Sequence, residues 1–230
     1  MYDPFHAAID YNKLTLNCVQ ELMRCQRKPL AEIIQTPFSG AGVYAIFYNG
    51  SSPLYTRLQD TEDLKEWYPI YDGKAIPKGG RKGRKRRKEE EANGRALWER
   101  LTDHHQSIIQ TSSSSSSLCV DDFSCRYLVV HDLWIPVVER FLTETFQPVW
   151  NVCIDGFGNH GQGSGRHEQK QSWWDVLHPG RPWAARLRQT RTQEQAQTKL
   201  ANFMRTYELK PRLTIESETP AMTAWKRLMG

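Results

Sequence analysis

Apolar positions along the chain change period several times, and each change marks an element. Leu14, Leu16, Val19, Leu22 and Met23 recur at mixed three- and four-residue spacing, which predicts a helical segment within residues 1–40. Gly40 and Gly42 break that pattern. Val43 to Tyr48 (VYAIFY) is a short apolar, aromatic and β-branched run, the pattern of a buried strand. Asn49-Gly50-Ser51-Ser52-Pro53 is a turn cluster, and 54–68 reads as an irregular or short helical excursion. Pro69 to Ala75 (PIYDGKA) predicts a second strand closing at Gly73. Glu89-Glu90-Glu91 opens a helical pattern, with acids where the helix dipole favours them, and Leu97, Leu101, His104 and Ile108 give that helix one face. The six serines after Thr111 pack no core and predict a loop tip or linker.

Cys125 to His131 (CRYLVVH) predicts a third strand. Pro136 suits the first turn of the next helix, Val138, Phe141, Leu142 and Thr145 form its buried stripe, and Pro148 marks its end. Gly156, Gly158, Gly161, Gly163 and Gly165 make a loop. Trp173, Trp174, Val176 and Leu177 resume apolar structure, and the chain from Ala184 onward is basic and helical. The expected fold class is α+β: a small mixed or antiparallel sheet of about three core strands, flanked by helices, with insertions and a C-terminal extension. The expected organisation is one domain over 1–230, with its core at 42–151, a helical preface at 1–40, a basic loop at 76–91 and an extension at 152–230 serving DNA binding or dimerisation.

Composition removes whole classes. The 230 residues are 39% hydrophobic and 25% charged, and mean hydropathy is −0.66. No apolar run reaches the roughly 18 residues of a membrane span. Met1 to Asp10 lacks the basic start and apolar stretch of a signal peptide. The five cysteines, 18, 25, 119, 125 and 153, are odd in number with no CxxC, which predicts free thiols in a reducing cytoplasm rather than a disulfide framework or zinc ribbon. Net charge is only +5, but Lys78 to Lys88 (KGGRKGRKRRK) holds eight cations and no acid, and residues 164–230 carry 12 Lys and Arg against 6 Asp and Glu. Such blocks suit a polyanion, most simply nucleic acid; alone, the run is equally a solvated loop.

Against that background, five features occur in order. Gly42-Val43-Tyr44 lies on the first strand and Tyr71-Asp72-Gly73-Lys74-Ala75 closes the second. Arg100 and His104, four apart, share a helix face; Glu139 lies on the helix after the third strand, and Asn151 follows twelve residues later. Singly, Tyr44 and Tyr71 read as strand core aromatics, Glu139 as a helix-surface charge, Arg100 and His104 as an exposed pair, and Asn151 as a helix-exit residue. Together the set resembles the GIY-YIG nucleases. The His after the Arg, the long gap between the tyrosines and the FGNH and LHPGRPWA stretches resemble the type II restriction endonucleases that cut CCGCGG. Val43 replaces the motif isoleucine. Asp72 replaces an apolar residue on a strand expected to be buried.

The resemblance implies roles. Tyr44 is the general base, and His104 takes or offsets its proton; His105 next door is separated from that role only by its spacing from Arg100. Tyr71 orients water or phosphate, Arg100 holds the scissile phosphate, Asn151 supports the geometry, and Glu139 is the ligand of one Mg²⁺ per site. Lys74 is a phosphate contact. Lys78, Arg81, Lys82, Arg84, Lys85, Arg86, Arg87 and Lys88 would grip phosphates without reading sequence. Arg166, Arg181, Arg186 and Arg188 are candidates to reach guanine edges. A palindromic target implies a homodimer on double-stranded DNA, and a restriction enzyme implies a cognate methyltransferase in the same bacterial cytoplasm. A rival D…ExK pattern, Asp155 with Glu168-Gln169-Lys170, sits in or beside a glycine-rich loop rather than on adjacent strands. His160 and His167 lack the Cys pair of a zinc site. The alternatives are a structure-specific repair or mobile-element nuclease, or a non-catalytic basic nucleic-acid-binding protein.

Overall fold

The computed structural model describes residues 11–77, 94–113, 118–159 and 170–206. Helix α1 (Tyr11–Arg24) comes first, followed by the two-residue strand β1 (Lys28–Pro29) and the single turn α2 (Leu30–Ile33). Then come β2 (Gly42–Tyr48), a 3₁₀ segment (Pro53–Gln59), α3 (Glu62–Trp67) and β3 (Tyr71–Ala75). The helix α4 (Ala96–Ile109), strand β4 (Phe123–Val129) and helix α5 (Ile135–Phe146) complete the core, and α6 (Val149–Val152), α7 (Trp173–Leu177) and α8 (Gln193–Thr206) follow. The four strands form one antiparallel sheet in the order β1-β4-β2-β3. The α+β expectation therefore holds, with a short fourth strand, β1, that the sequence pattern did not announce. The strand expected at Cys125–His131 begins two residues earlier and ends at Val129.

Every residue of β2 is buried, because the sheet is covered on both faces. Tyr44, Ile46 and Tyr48 point into a cluster with Leu97, Leu101 and Ile108 of α4, Trp150, Phe157 and Trp174. Val43, Ala45 and Phe47 point the other way, against Leu16, Val19, Leu22 and Met23 of α1 and Val138, Phe141, Leu142 and Phe146 of α5. That is the period-two alternation of a strand with apolar side chains on both faces, which is why VYAIFY has no polar member. The faces expected for α4 and α5 are the faces that are buried.

Strand β3 lies at the sheet's edge, so alternate backbone groups have no strand partner. Two residues beyond α5 supply them. The Trp150 amide donates to the Ile70 carbonyl at 2.9 Å. The Asn151 side-chain amide accepts from the Asp72 N–H at 3.0 Å and donates to the Asp72 carbonyl at 3.0 Å, as a neighbouring strand would. The chain gets there because α5 stops abruptly: Gln147 is left-handed (φ 48°) with its N–H on the Thr143 carbonyl, and Pro148 starts α6.

Candidate active site

Strands β2 and β3 and helix α4 bring the first half of the site together. Tyr44 pairs with Gly73 across the ladder, and a Cβ at position 73 would lie 2.5 Å from the Tyr44 hydroxyl. A glycine there is what lets the phenol lie flat across β3. The Tyr44 hydroxyl meets His104 Nε2 at 2.7 Å and accepts a hydrogen bond from Arg100 Nε at 3.2 Å. With Arg100 donating, the phenol proton is paired when it is donated to an unprotonated Nε2. The Tyr71 ring lies edge-on to His104, with centroids 5.2 Å apart, and tilted to Tyr44 at 6.3 Å. Both phenols are buried. Burial pushes the Tyr44 pKa well above its ordinary value, and the neighbouring Tyr71 adds to this while Arg100 opposes it. Tyr71 is likewise pushed up by burial, against the pull of Arg100.

The second half lies on the α5 side of the same edge strand. Lys74 Nζ donates to Glu139 Oε2 at 2.7 Å, and both side chains remain partly exposed. Asp72 is fully buried. Its Oδ1 accepts from Thr143 Oγ1 at 2.6 Å and from Asn151 Nδ2 at 3.0 Å, while Oδ2 has no partner among the described residues. Burial is the main cause that pushes the Asp72 carboxyl up to about 8, with the nearby Glu139 adding to it. At neutral pH Asp72 therefore carries a proton.

One family model matches residues 36–204, the Eco29kI GIY-YIG domain. The match takes in both strands, α4, α5 and the α6–α8 region, so it spans both halves of the site. The chain belongs to the GIY-YIG restriction endonucleases of the Eco29kI type. It is accordingly an endodeoxyribonuclease. A search of the curated proteins found no match.

In this GIY-YIG endonuclease Tyr44, Tyr71, Arg100 and His104 are gathered on one side of β3, and Lys74, Glu139 and Asn151 on the other. His104 rather than His105 faces the tyrosine. A divalent cation, which the family's chemistry calls for, fits the second half by donor type. Glu139 offers a hard oxygen ligand open to solvent, and Mg²⁺ takes oxygen ligands while keeping several waters. No group of three or more His, Cys, Asp or Glu that could hold a metal ion gathers among the described residues.

Lys78, Arg81, Lys82, Arg84, Lys85, Arg86, Arg87, Lys88 and Arg166 lie outside the described residues, as do His160, His167 and Glu168. Arg186 and Arg188 are exposed. Arg181 corrects its expectation: only 1% exposed, it is sealed in an ion pair with Asp175 at 2.6 Å and does not present itself to a duplex. Trp174 is buried in the core, and Trp173 lies under Arg191 at 4.2 Å. Two contributors escaped the sequence pattern. Phe157 stacks on the His104 ring, centroids 4.4 Å apart and 19° from parallel, and the Gly158 carbonyl accepts from Arg100 at 2.8 Å. The Gly-Phe-Gly run signals a loop, but nothing local says what that loop covers.

Proposed function

We propose that this enzyme is a type II restriction endonuclease that hydrolyses double-stranded DNA at a short GC-rich palindrome, CCGCGG. It acts as a homodimer, with one Mg²⁺ per active site and a cognate methyltransferase in the same bacterial cytoplasm. The observation that carries the chemical part is the Tyr44 hydroxyl held between His104 and Arg100 beside the edge strand that presents Lys74 to Glu139. The target rests on membership of the Eco29kI type. A two-fold palindrome suits two copies of a chain with one site each.

In this reading His104 accepts the phenol proton and Tyr44 takes a proton from the attacking water. A buried phenol with a raised pKa does not ionise unaided at neutral pH, so the imidazole is what makes the base usable. Arg100, bonded to Tyr44, places its guanidinium for the phosphate and offsets the charge that builds there. Tyr71 borders the same space. Glu139 would hold the Mg²⁺, which supplies Lewis-acid stabilisation of the phosphate and leaving oxygen. Lys74 balances Glu139 and would contact a phosphate. Asn151 fixes β3 and the Asp72 carboxyl. The basic run 78–88 supplies the sequence-independent grip.

Digestion of unmethylated plasmid with Mg²⁺ and with EDTA, followed by sequencing of the ends, tests the reading. Discrete Mg²⁺-dependent fragments sharing CCGCGG are expected. Glu139→Gln should cut about a thousandfold more slowly while still binding the site. Fragments in EDTA, nicking confined to branched substrates, or a Glu139→Gln variant cutting at the wild-type rate would each overturn it.

A further inference from the structure

Residues Gly156 to Asn159 lie against the tyrosine–histidine half of the site, and two arginines divide their carbonyls. Arg181 Nη2 donates to Gly156 at 2.9 Å, and its Nη1 donates to Phe157 and Asn159, both at 3.1 Å. The remaining carbonyl, Gly158, takes Arg100 at 2.8 Å. The loop thus touches the site at two points: the Phe157 ring on His104 and the Gly158 carbonyl on Arg100. A Cβ at 158 would lie 2.4 Å from the Tyr71 hydroxyl, so the backbone itself borders the second tyrosine. Tyr71 also meets Phe157 edge-on at 5.0 Å.

Arg181 is built to hold this loop. Its charge is met by Asp175 at 2.6 Å, and Asp175 is in turn held by the Ser172 hydroxyl at 2.6 Å. The guanidinium lies 4.4 Å from the Trp174 ring centroid and 4.7 Å from that of Trp183. A planar fork with five donors can bond three carbonyls and a carboxylate at once, whereas a lysine ammonium has three donors from one point.

We infer that Arg181 is a positioning residue of the cleavage reaction: by fixing the Gly156–Asn159 loop it holds Phe157 against His104 and the Gly158 carbonyl against Arg100, and so sets the alignment of the Tyr44 base and the phosphate-binding guanidinium. This rests on the nuclease reading above for its effect on rate, but its structural half does not. The residue first expected to read bases acts instead behind the active site.

The test uses the full chain with Arg181→Lys. Single-turnover cleavage at saturating enzyme should fall about 10- to 100-fold, the size of effect a misplaced supporting group produces. DNA affinity and site choice should stay within about threefold of wild type, well inside that range. The His104 ring protons, shielded by the stacked Phe157 ring, should shift in NMR spectra of the folded variant without DNA. A folded variant with unmoved His104 signals, or with the wild-type saturated rate, overturns the inference. So does weakened or relaxed DNA binding at an unchanged saturated rate, which would make Arg181 a reader. If Arg181→Lys does not fold, Phe157→Leu decides. It keeps an apolar side chain but removes the ring from His104. Slowed saturated cleavage with unchanged affinity supports the inference, and a wild-type rate overturns it. Moved His104 signals in a chain whose wild type cuts no DNA would uphold the clamp and fault the nuclease chemistry.

Discussion

The carboxyl of Asp72 sets up a pH-dependent stability difference that a single atom exchange should remove. It is fully buried, its Oδ2 has no partner among the described residues, and its pKa is raised from 3.8 to about 8. Between those two values the unfolded chain has released a proton that the folded protein still holds. The folded state then binds more protons, so stability must fall as pH rises, from full value below pH 4 to a plateau above about 8. Four units at about 1.4 kcal/mol each give a ceiling of about 6 kcal/mol. Asp72→Asn retains an oxygen for Thr143 and Asn151 but has no proton to lose. Below pH 4 the buried acid and the amide are close equivalents, each placing one unpaired polar atom in the core. At pH 8.5 the variant should be more stable than wild type by several kcal/mol, on the order of that ceiling. Urea unfolding of both proteins at half-unit steps from pH 5 to 8.5, in EDTA and at fixed ionic strength, measures the difference directly. Two stability curves that run parallel across that range would refute the reasoning, because they would mean Asp72 titrates alike in the folded and unfolded chains.

Two further expectations concern the two halves of the site. Tyr44→Phe removes the atom shared by His104 and Arg100 and should slow single-turnover cleavage by about 10²- to 10⁴-fold with DNA affinity retained; a loss under threefold would remove Tyr44 from the chemistry. Asn151→Leu strips the Asp72 N–H and C=O of their partners at the edge of the sheet and should cost about 2–4 kcal/mol in urea unfolding. A cost below about 0.5 kcal/mol, the range of ordinary surface substitutions, would show that those edge groups are satisfied without it.

The site was legible to the extent that its residues are set by local register. Arg100 and His104 had to share a face because they are four apart on a helix, and Tyr44 had to oppose the sheet face that Val43 and Ala45 occupy because a strand alternates. The edge position of β3 was not legible. It follows from which strands pair over long separations, and only then does Asn151 acquire its meaning as a substitute strand partner. Asp72 was visible as a polar residue out of place, but its neutral state comes from burial, which outweighs the hydrogen bonds of Thr143 and Asn151, 71 and 79 positions away, that favour the charged form. Arg181 shows the converse. Its charge and its place in a basic extension suggested DNA, and burial against Asp175 and three loop carbonyls assigned it inward.

The sequence by itself determined the α+β class, the three main strands, the buried faces of α4 and α5, and the ordered tyrosine, arginine, histidine, glutamate and asparagine set that marks a GIY-YIG enzyme. Those are properties of short-range periodicity and of residue types, and both are written locally. Tertiary structure alone decided that the set divides across an edge strand, that Phe157 and the Gly158 carbonyl complete the tyrosine half, and that Arg181 serves the core. Those outcomes depend on contacts between segments far apart in the chain, where desolvation and the pairing of buried polar groups, not local pattern, choose the partner.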